Sequence, residues 1–136
     1  MEKRIYVGCG LTHAPEEFRD NVDRFKNALR DSGHTVLDFL GLVAGTPGDV
    51  YRHDIKRNVA TCDILVGICD EPSIGLGIEI GSAIERGKQV LLAAQEEASL
   101  TRIVPGAAEE EWNVHFARYT DLSDLVPMVD ELANAT

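Results

Sequence analysis

Short apolar runs alternate with longer amphipathic stretches along the chain, and glycine or proline marks most of the changes. Arg4 to Gly8 is a β-branched and aromatic run closed by glycine, which predicts a buried strand. Between Ala14 and Asp31, Phe18, Val22, Phe25 and Leu29 recur every three or four positions, the period of a helix with one apolar face. Pro15 sits where a first helical turn accepts proline, and Gly33 stops the helix. Thr35 to Leu40 predicts a second strand, and residues 41–50, rich in breakers, predict a loop. A helix is expected from about Val50 to Thr61, then a third strand from Asp63 to Ile68. That strand is apolar almost throughout, as a central parallel strand is. Gly75 to Arg86 predicts a helix closed by Gly87, and Gln89 to Ala94 a fourth strand. Trp112 to Tyr119 predicts a fifth strand, and Asp121 to Ala135 a C-terminal amphipathic helix.

This alternation, with one further helix before the fifth strand, predicts a single α/β domain over residues 1–136. The expected architecture is a doubly wound, five-stranded, mainly parallel sheet of the Rossmann or flavodoxin-like kind, with helices on both faces. Ligands of such sheets bind beyond the carboxyl ends of the strands. That rule selects residues 8–14, 39–50, 69–77 and 94–101.

Composition narrows the partners. Thirteen Lys and Arg against 23 Asp and Glu give a formal charge of −10, and no basic run exceeds Lys3-Arg4. Such a chain is expected to bind neither nucleic acid nor an anionic membrane. The N-terminus lacks the apolar core of a signal peptide, and no apolar run nears the roughly 20 residues of a membrane span. The expectation is a soluble, cytoplasmic protein. Cys9, Cys62 and Cys69 are an odd set without CxxC, which predicts reduced thiols. The four histidines are scattered without metal-binding spacing, so neither a metal nor an organic cofactor is expected.

The first loop, Gly8-Cys9-Gly10-Leu11-Thr12-His13, begins like a dinucleotide fingerprint but has His13 where the third glycine belongs. Gly8 and Gly10 are therefore either a strand-to-helix turn or substrate contacts at a helix N-terminus. The stretch from Asp70 to Ala83 is richer in chemistry. Gly75 and Gly77 let a ligand approach the backbone, and Ser73 adds a hydroxyl. Glu79 falls in the first turn or so of the helix, where the dipole favours its carboxylate. It is either a nucleophile or a residue that merely complements that dipole. Asp54, among Arg52, Lys56 and Arg57, reads either as a solvated helix residue or as a second carboxylate. Two carboxylates across a cleft suit glycosidic bond cleavage.

The run Tyr51-Arg-His-Asp54, the strand from Cys62, and Pro72-Ser73-Ile-Gly75-Leu-Gly77-Ile-Glu79 with Gly81 and Gly87-Lys88 resemble the nucleoside 2-deoxyribosyltransferase superfamily. Within it, Pro-Ser-x-Gly-x-Gly-x-Glu resembles the branch of 2′-deoxynucleoside 5′-phosphate N-hydrolases, whereas the transferases proper tend to carry Asp-x-Gly-Thr-x-x-Glu. The segment from Leu100 to Gly106 resembles the hydroxyl-bearing loop of those hydrolases. The resemblance implies hydrolysis of the N-glycosidic bond of deoxynucleoside 5′-monophosphates through a covalent sugar–glutamate ester, with no cofactor. Base exchange by a deoxyribosyltransferase, and nucleotide binding without turnover, are the alternatives. It implies Glu79 as nucleophile, Asp54 as the group assisting the leaving base, and Tyr6 beside the sugar. It also implies Ser73, with the backbone at Gly75 and Gly77, on the 5′-phosphate, and Thr101 on the phosphate of a neighbouring subunit. A homodimer with a shared site follows.

The chain departs from the pattern at three places. Thr12 or His13 stands where the hydrolases carry a first-loop arginine, and Thr101 stands for their usual serine, with Ser99 as an alternative. Phosphate contacts then fall to the N–H groups of residues 73–77, Ser73, Thr101 and His13 or Arg102. Asp54 precedes Asp63 by nine residues, where the resemblance leads to an expectation of eight. A helical irregularity there would shift the Asp54 assignment.

Overall fold

The computed structural model describes residues 2–40 and 45–136. Its five strands are β1 (Arg4–Cys9), β2 (Thr35–Leu37), β3 (Ile64–Ile68), β4 (Gln89–Gln95) and β5 (Val114–Tyr119). All pair in parallel, in the order β2-β1-β3-β4-β5. From β1 the chain moves outward to β2, then crosses back to build β3, β4 and β5 on the other side. The direction of winding reverses between β1 and β3, and a crevice opens there at their carboxyl ends.

Strand alternation sends side chains to two cores. Ile5, Val7, Ile64, Val66 and Leu91 pack under α1 (Glu16–Asp31) and the C-terminal α5 (Val126–Ala135), where Phe25 and Leu29 meet them. Tyr6, Leu65, Val90 and Leu92 face the other way. They meet Ile55 and Val59, and Leu76 and Ala83 of α3 (Ile74–Glu85), with α4 (Ile103–Glu110) beside them. Each fully buried leucine, isoleucine or phenylalanine contributes about 1.5–3 kcal/mol, so the two cores together drive the fold. Among the described residues no helix is long and apolar enough to cross a membrane.

The expected elements are present, and several of them differ at their ends. The second strand was expected to reach Leu40 but pairs with β1 only as far as Leu37. The next backbone groups are engaged elsewhere: the Asp38 carbonyl accepts from Asn58, and the Leu40 N–H donates to Asp54. The expected loop over 41–50 ends early, and its residues 41–44 lie outside the described ones. α2 (Pro47–Tyr51) begins inside it. Thr46 Oγ1 accepts from Asp49 N–H at 3.1 Å while Asp49 Oδ2 accepts from Thr46 N–H at 3.0 Å, so the apparent breakers are a capped helix start. α2 continues as a π-helix over Arg52–Val59, where a regular helix was expected. The expected fifth strand lacks its first two residues, leaving Trp112 in a turn and exposed. The C-terminal helix opens with a 3₁₀ segment, Leu122–Leu125, before Pro127 allows the α-helical turn.

Candidate active site

Tyr6 lies on β1 with its ring fully buried on the α3 side of the sheet. Its hydroxyl donates to Glu79 Oε2 at 2.5 Å. Two residues further along the strand, on the same face, Gly8 supplies the room. A Cβ there would stand 3.0 Å from Glu79 Oε1 and 2.9 Å from Leu76 Cδ1. This first-loop glycine is thus fixed by packing against the carboxylate. Gly10 is fixed in the same way, since a Cβ would come within 2.9 Å of the Glu71 carbonyl oxygen.

The sequence reading put Glu79 in the first turn or so of the helix, with its carboxylate favoured by the dipole. α3 begins at Ile74, so Glu79 is its sixth residue and lies in the second turn. There burial dominates and pushes its carboxyl from 4.5 up to about 7. The Tyr6 hydrogen bond pulls it down, and the charge of Asp54 adds to the rise. Burial, then Glu79 and Asp54, push the Tyr6 phenol above its ordinary value, so it stays protonated and remains a donor.

Asp54 is buried, which removes its reading as a solvated helix residue. Its Oδ1 accepts from the Leu40 N–H at 3.0 Å and lies 3.0 Å from His53 Nδ1. Asn58 Nδ2 donates to the Asp38 carbonyl at 2.8 Å and stands 3.4 Å from His53 Nδ1. The π-helix accounts for the nine-residue spacing: it takes up an extra residue between Asp54 and β3. This is the irregularity that the spacing signalled. Tyr6, Gly8, Glu79 and Asp54 therefore meet at the switch point.

The expected phosphate contacts lie apart from them. Ser73 is the N-cap of α3, its Oγ accepting from the Leu76 N–H at 3.2 Å, which leaves the N–H groups of Ile74 and Gly75 for a ligand. Cβ atoms on Gly75 and Gly77 would meet no closer contact than 3.8 Å and nothing within 4 Å respectively, so packing within the chain does not require either glycine. Thr101 is exposed and lies in the turn before α4. Ser73, Gly77, Ile80, Thr101, Val104 and Ala107 line an apolar concavity of about 790 Å³ between α3 and α4. Neither Glu79, Asp54 nor Tyr6 lines it. Thr12, His13 and Arg102 are exposed.

Sequence reasoning singled out neither His53 as a partner of Asp54 nor Asp70 as a brace. Asp70 Oδ1 accepts from the Gln95 N–H at 2.6 Å and its Oδ2 accepts from the Tyr119 hydroxyl. It thereby ties the loop carrying Ser73 to the ends of β4 and β5. Among the described residues no group of three or more His, Cys, Asp or Glu is placed to hold a metal ion.

An all-parallel sheet wound 2-1-3-4-5, with a tyrosine-held glutamate and a second buried carboxylate at its switch point, defines a flavodoxin-like α/β domain with a two-carboxylate site. Within that class the chain belongs to the family of 2′-deoxynucleoside 5′-phosphate N-hydrolases. It is 31% identical over 121 residues, 82% of either chain, to a Thermofilum pendens protein that carries the name 2′-deoxynucleoside 5′-phosphate N-hydrolase 1. It is also 25% identical over 111 residues to the 5-hydroxymethyl-dUMP N-hydrolase of Rattus norvegicus, covering 74% of this chain and 68% of the relative. The solved CMP N-glycosidase of Clostridium botulinum shares the fold, with a TM-score of 0.76 at 21% identity over 96% of this chain and 99% of the other. No protein-family profile matches the sequence.

Proposed function

We propose that the protein hydrolyses the N-glycosidic bond of 2′-deoxynucleoside 5′-monophosphates, releasing the free base and deoxyribose 5-phosphate. The observation that carries this reading is the Tyr6–Glu79 hydrogen bond at the switch point, beside a second buried carboxylate. In the first step the Glu79 carboxylate attacks C1′ of the sugar. The C1′–N bond breaks, its electron pair leaves with the base, and Asp54 gives that base a proton. Water then attacks C1′ of the sugar ester, its proton passes to the Asp54 carboxylate left by the first step, and the Glu79 carboxylate departs. Tyr6 orients one carboxylate oxygen while Gly8 leaves space beside the other.

A chain of net charge −10 repels a phosphate at long range, so binding falls to local donors. The N–H groups of Ile74 and Gly75 with the Ser73 hydroxyl fit that task. Thr101 joins them from a second copy in the homodimer that belongs to this reading. The concavity between α3 and α4 supports that assembly. It is apolar, it begins at Ser73, and Ile74, Ile78 and Ile103 stand exposed around it. A second copy placed there by a two-fold axis would bring each Thr101 beside the other chain's Ser73.

The test is a product assay across the four deoxynucleoside monophosphates and the matching deoxynucleosides, with and without a foreign base. Free base and deoxyribose 5-phosphate are the expected products. A new nucleoside formed with the foreign base would make the protein a transferase, and tight binding of intact substrate would make it a binding module.

A further inference from the structure

We propose that His53 is a positioning residue for Asp54: it clamps one carboxylate oxygen so that the other faces the departing base. The inference rests on the hydrolytic reading above and adds to it a residue that the reaction scheme leaves idle. Three observations carry it. His53 Nδ1 lies 3.0 Å from Asp54 Oδ1, and the Leu40 N–H reaches the same oxygen at 3.0 Å. Oδ2 has no hydrogen-bond partner among the described residues. The Asn58 side chain packs beside the ring: its amide nitrogen lies 3.4 Å from Nδ1 and donates to the Asp38 carbonyl at 2.8 Å. Asn58 stands five residues after His53, a separation that the π-helical winding brings to one side of the helix.

A nitrogen 3.0 Å from a carboxylate oxygen carries the proton, which fixes His53 as the Nδ1–H tautomer and leaves Nε2 without a protein partner among the described residues. When Asp54 Oδ2 delivers its proton to the base, the remaining charge spreads onto Oδ1, where two N–H groups already point. No proton leaves His53 in this step. The ring and the Leu40 amide stabilise the carboxylate that forms. Tyr6, a neutral phenol, and Glu79 face Asp54 from the sheet side, and an ionised Glu79 repels the negative charge of Asp54. The two donors at Oδ1 offset that repulsion.

The experiment compares His53→Ala and His53→Asn on two substrates. One is dGMP, whose base must take a proton as it leaves. The other is its N7-methylated form, whose cationic base leaves without one. For dGMP, His53→Ala should lower kcat about 10- to 100-fold with KM nearly unchanged, part of what general acid catalysis supplies. His53→Asn places an amide N–H where Nδ1 stood and should recover most of the loss. The methylated substrate should be cleaved by both variants at close to the wild-type rate. Equal losses on both substrates, or no recovery by asparagine, would overturn the proposal. Nitrogen-15 spectra of the ring supply a readout independent of turnover: the Nδ1–H tautomer should be present in the wild-type protein and lost in Asp54→Ala, which removes the acceptor oxygen. Its absence from the wild-type protein would remove the clamp. If the wild-type protein released base from neither substrate, the hydrolytic reading would fall while the spectra still decided the pairing.

Discussion

Glu79 is asked to be charged where the fold prefers it neutral. Burial lifts its carboxyl from 4.5 to about 7, so in the free protein the nucleophile is half ionised near neutral pH. The kcat/KM profile should therefore carry an acid limb near pH 7, read directly from initial rates. The same shift has a sign for stability. Below about pH 4.5 the carboxyl is neutral folded or unfolded and costs nothing. Between 4.5 and about 7 the unfolded chain ionises first, and stability falls by about 3 kcal/mol at most. Glu79→Gln should abolish turnover and raise the melting temperature at pH 8, with little change at pH 4.5. A variant melting below the wild type at pH 8 would show that the carboxylate is not under this strain. Asp54→Asn should cost 10²- to 10⁴-fold in kcat, the worth of one general acid. The motif from Pro72 to Lys88 made Glu79 legible as a chemical group, and the run Tyr51-Arg-His-Asp54 did the same for Asp54. Neither stretch could show burial, because Glu79 is held by Tyr6 of β1 and Asp54 by the Leu40 N–H, three residues past the end of β2.

At the level of elements, the order of strands and helices was readable because each apolar run is short and each amphipathic run keeps one period. The ends were less readable. β2 stops after Leu37 although Phe39 and Leu40 continue its apolar run, because side chains from the π-helix take the backbone groups that a ladder would use. Thr46-Pro47-Gly48-Asp49 reads as loop residues by type and as a helix start by position. The nine-residue interval from Asp54 to Asp63 was the visible trace of the π-helix. A π-turn formed by one extra residue should revert when an exposed residue is removed. Deleting Lys56 should restore regular winding and the eight-residue interval, keeping Asp54 in place and kcat within about tenfold of wild type. Circular dichroism and initial rates would check it, and loss of all activity in a folded deletion variant would contradict it.

For the whole molecule, the winding of the sheet decides where chemistry is possible, and the groove between α3 and α4 decides whether one chain suffices. If the site is shared, two inactive chains should complement one another. Glu79→Gln keeps Thr101, and Thr101→Glu keeps Glu79, so a mixed dimer holds one complete site. Mixing them in equal amounts should restore about a quarter of wild-type activity, as random exchange across a two-fold axis gives. A fully active monomer by light scattering would rule the shared site out. The two carboxylates also stand on opposite sides of the trade between stability and activity. Asp54 ties the end of β2 to the helix before β3, so its loss forfeits a buried hydrogen bond worth about 1–3 kcal/mol as well as the acid. Glu79 burdens the fold that carries it. In a library of variants sorted once for abundance and once for turnover, substitutions at Asp54 should be depleted by both selections. Substitutions at Glu79 should be enriched by the first and eliminated by the second, so selection for turnover alone would keep a glutamate there.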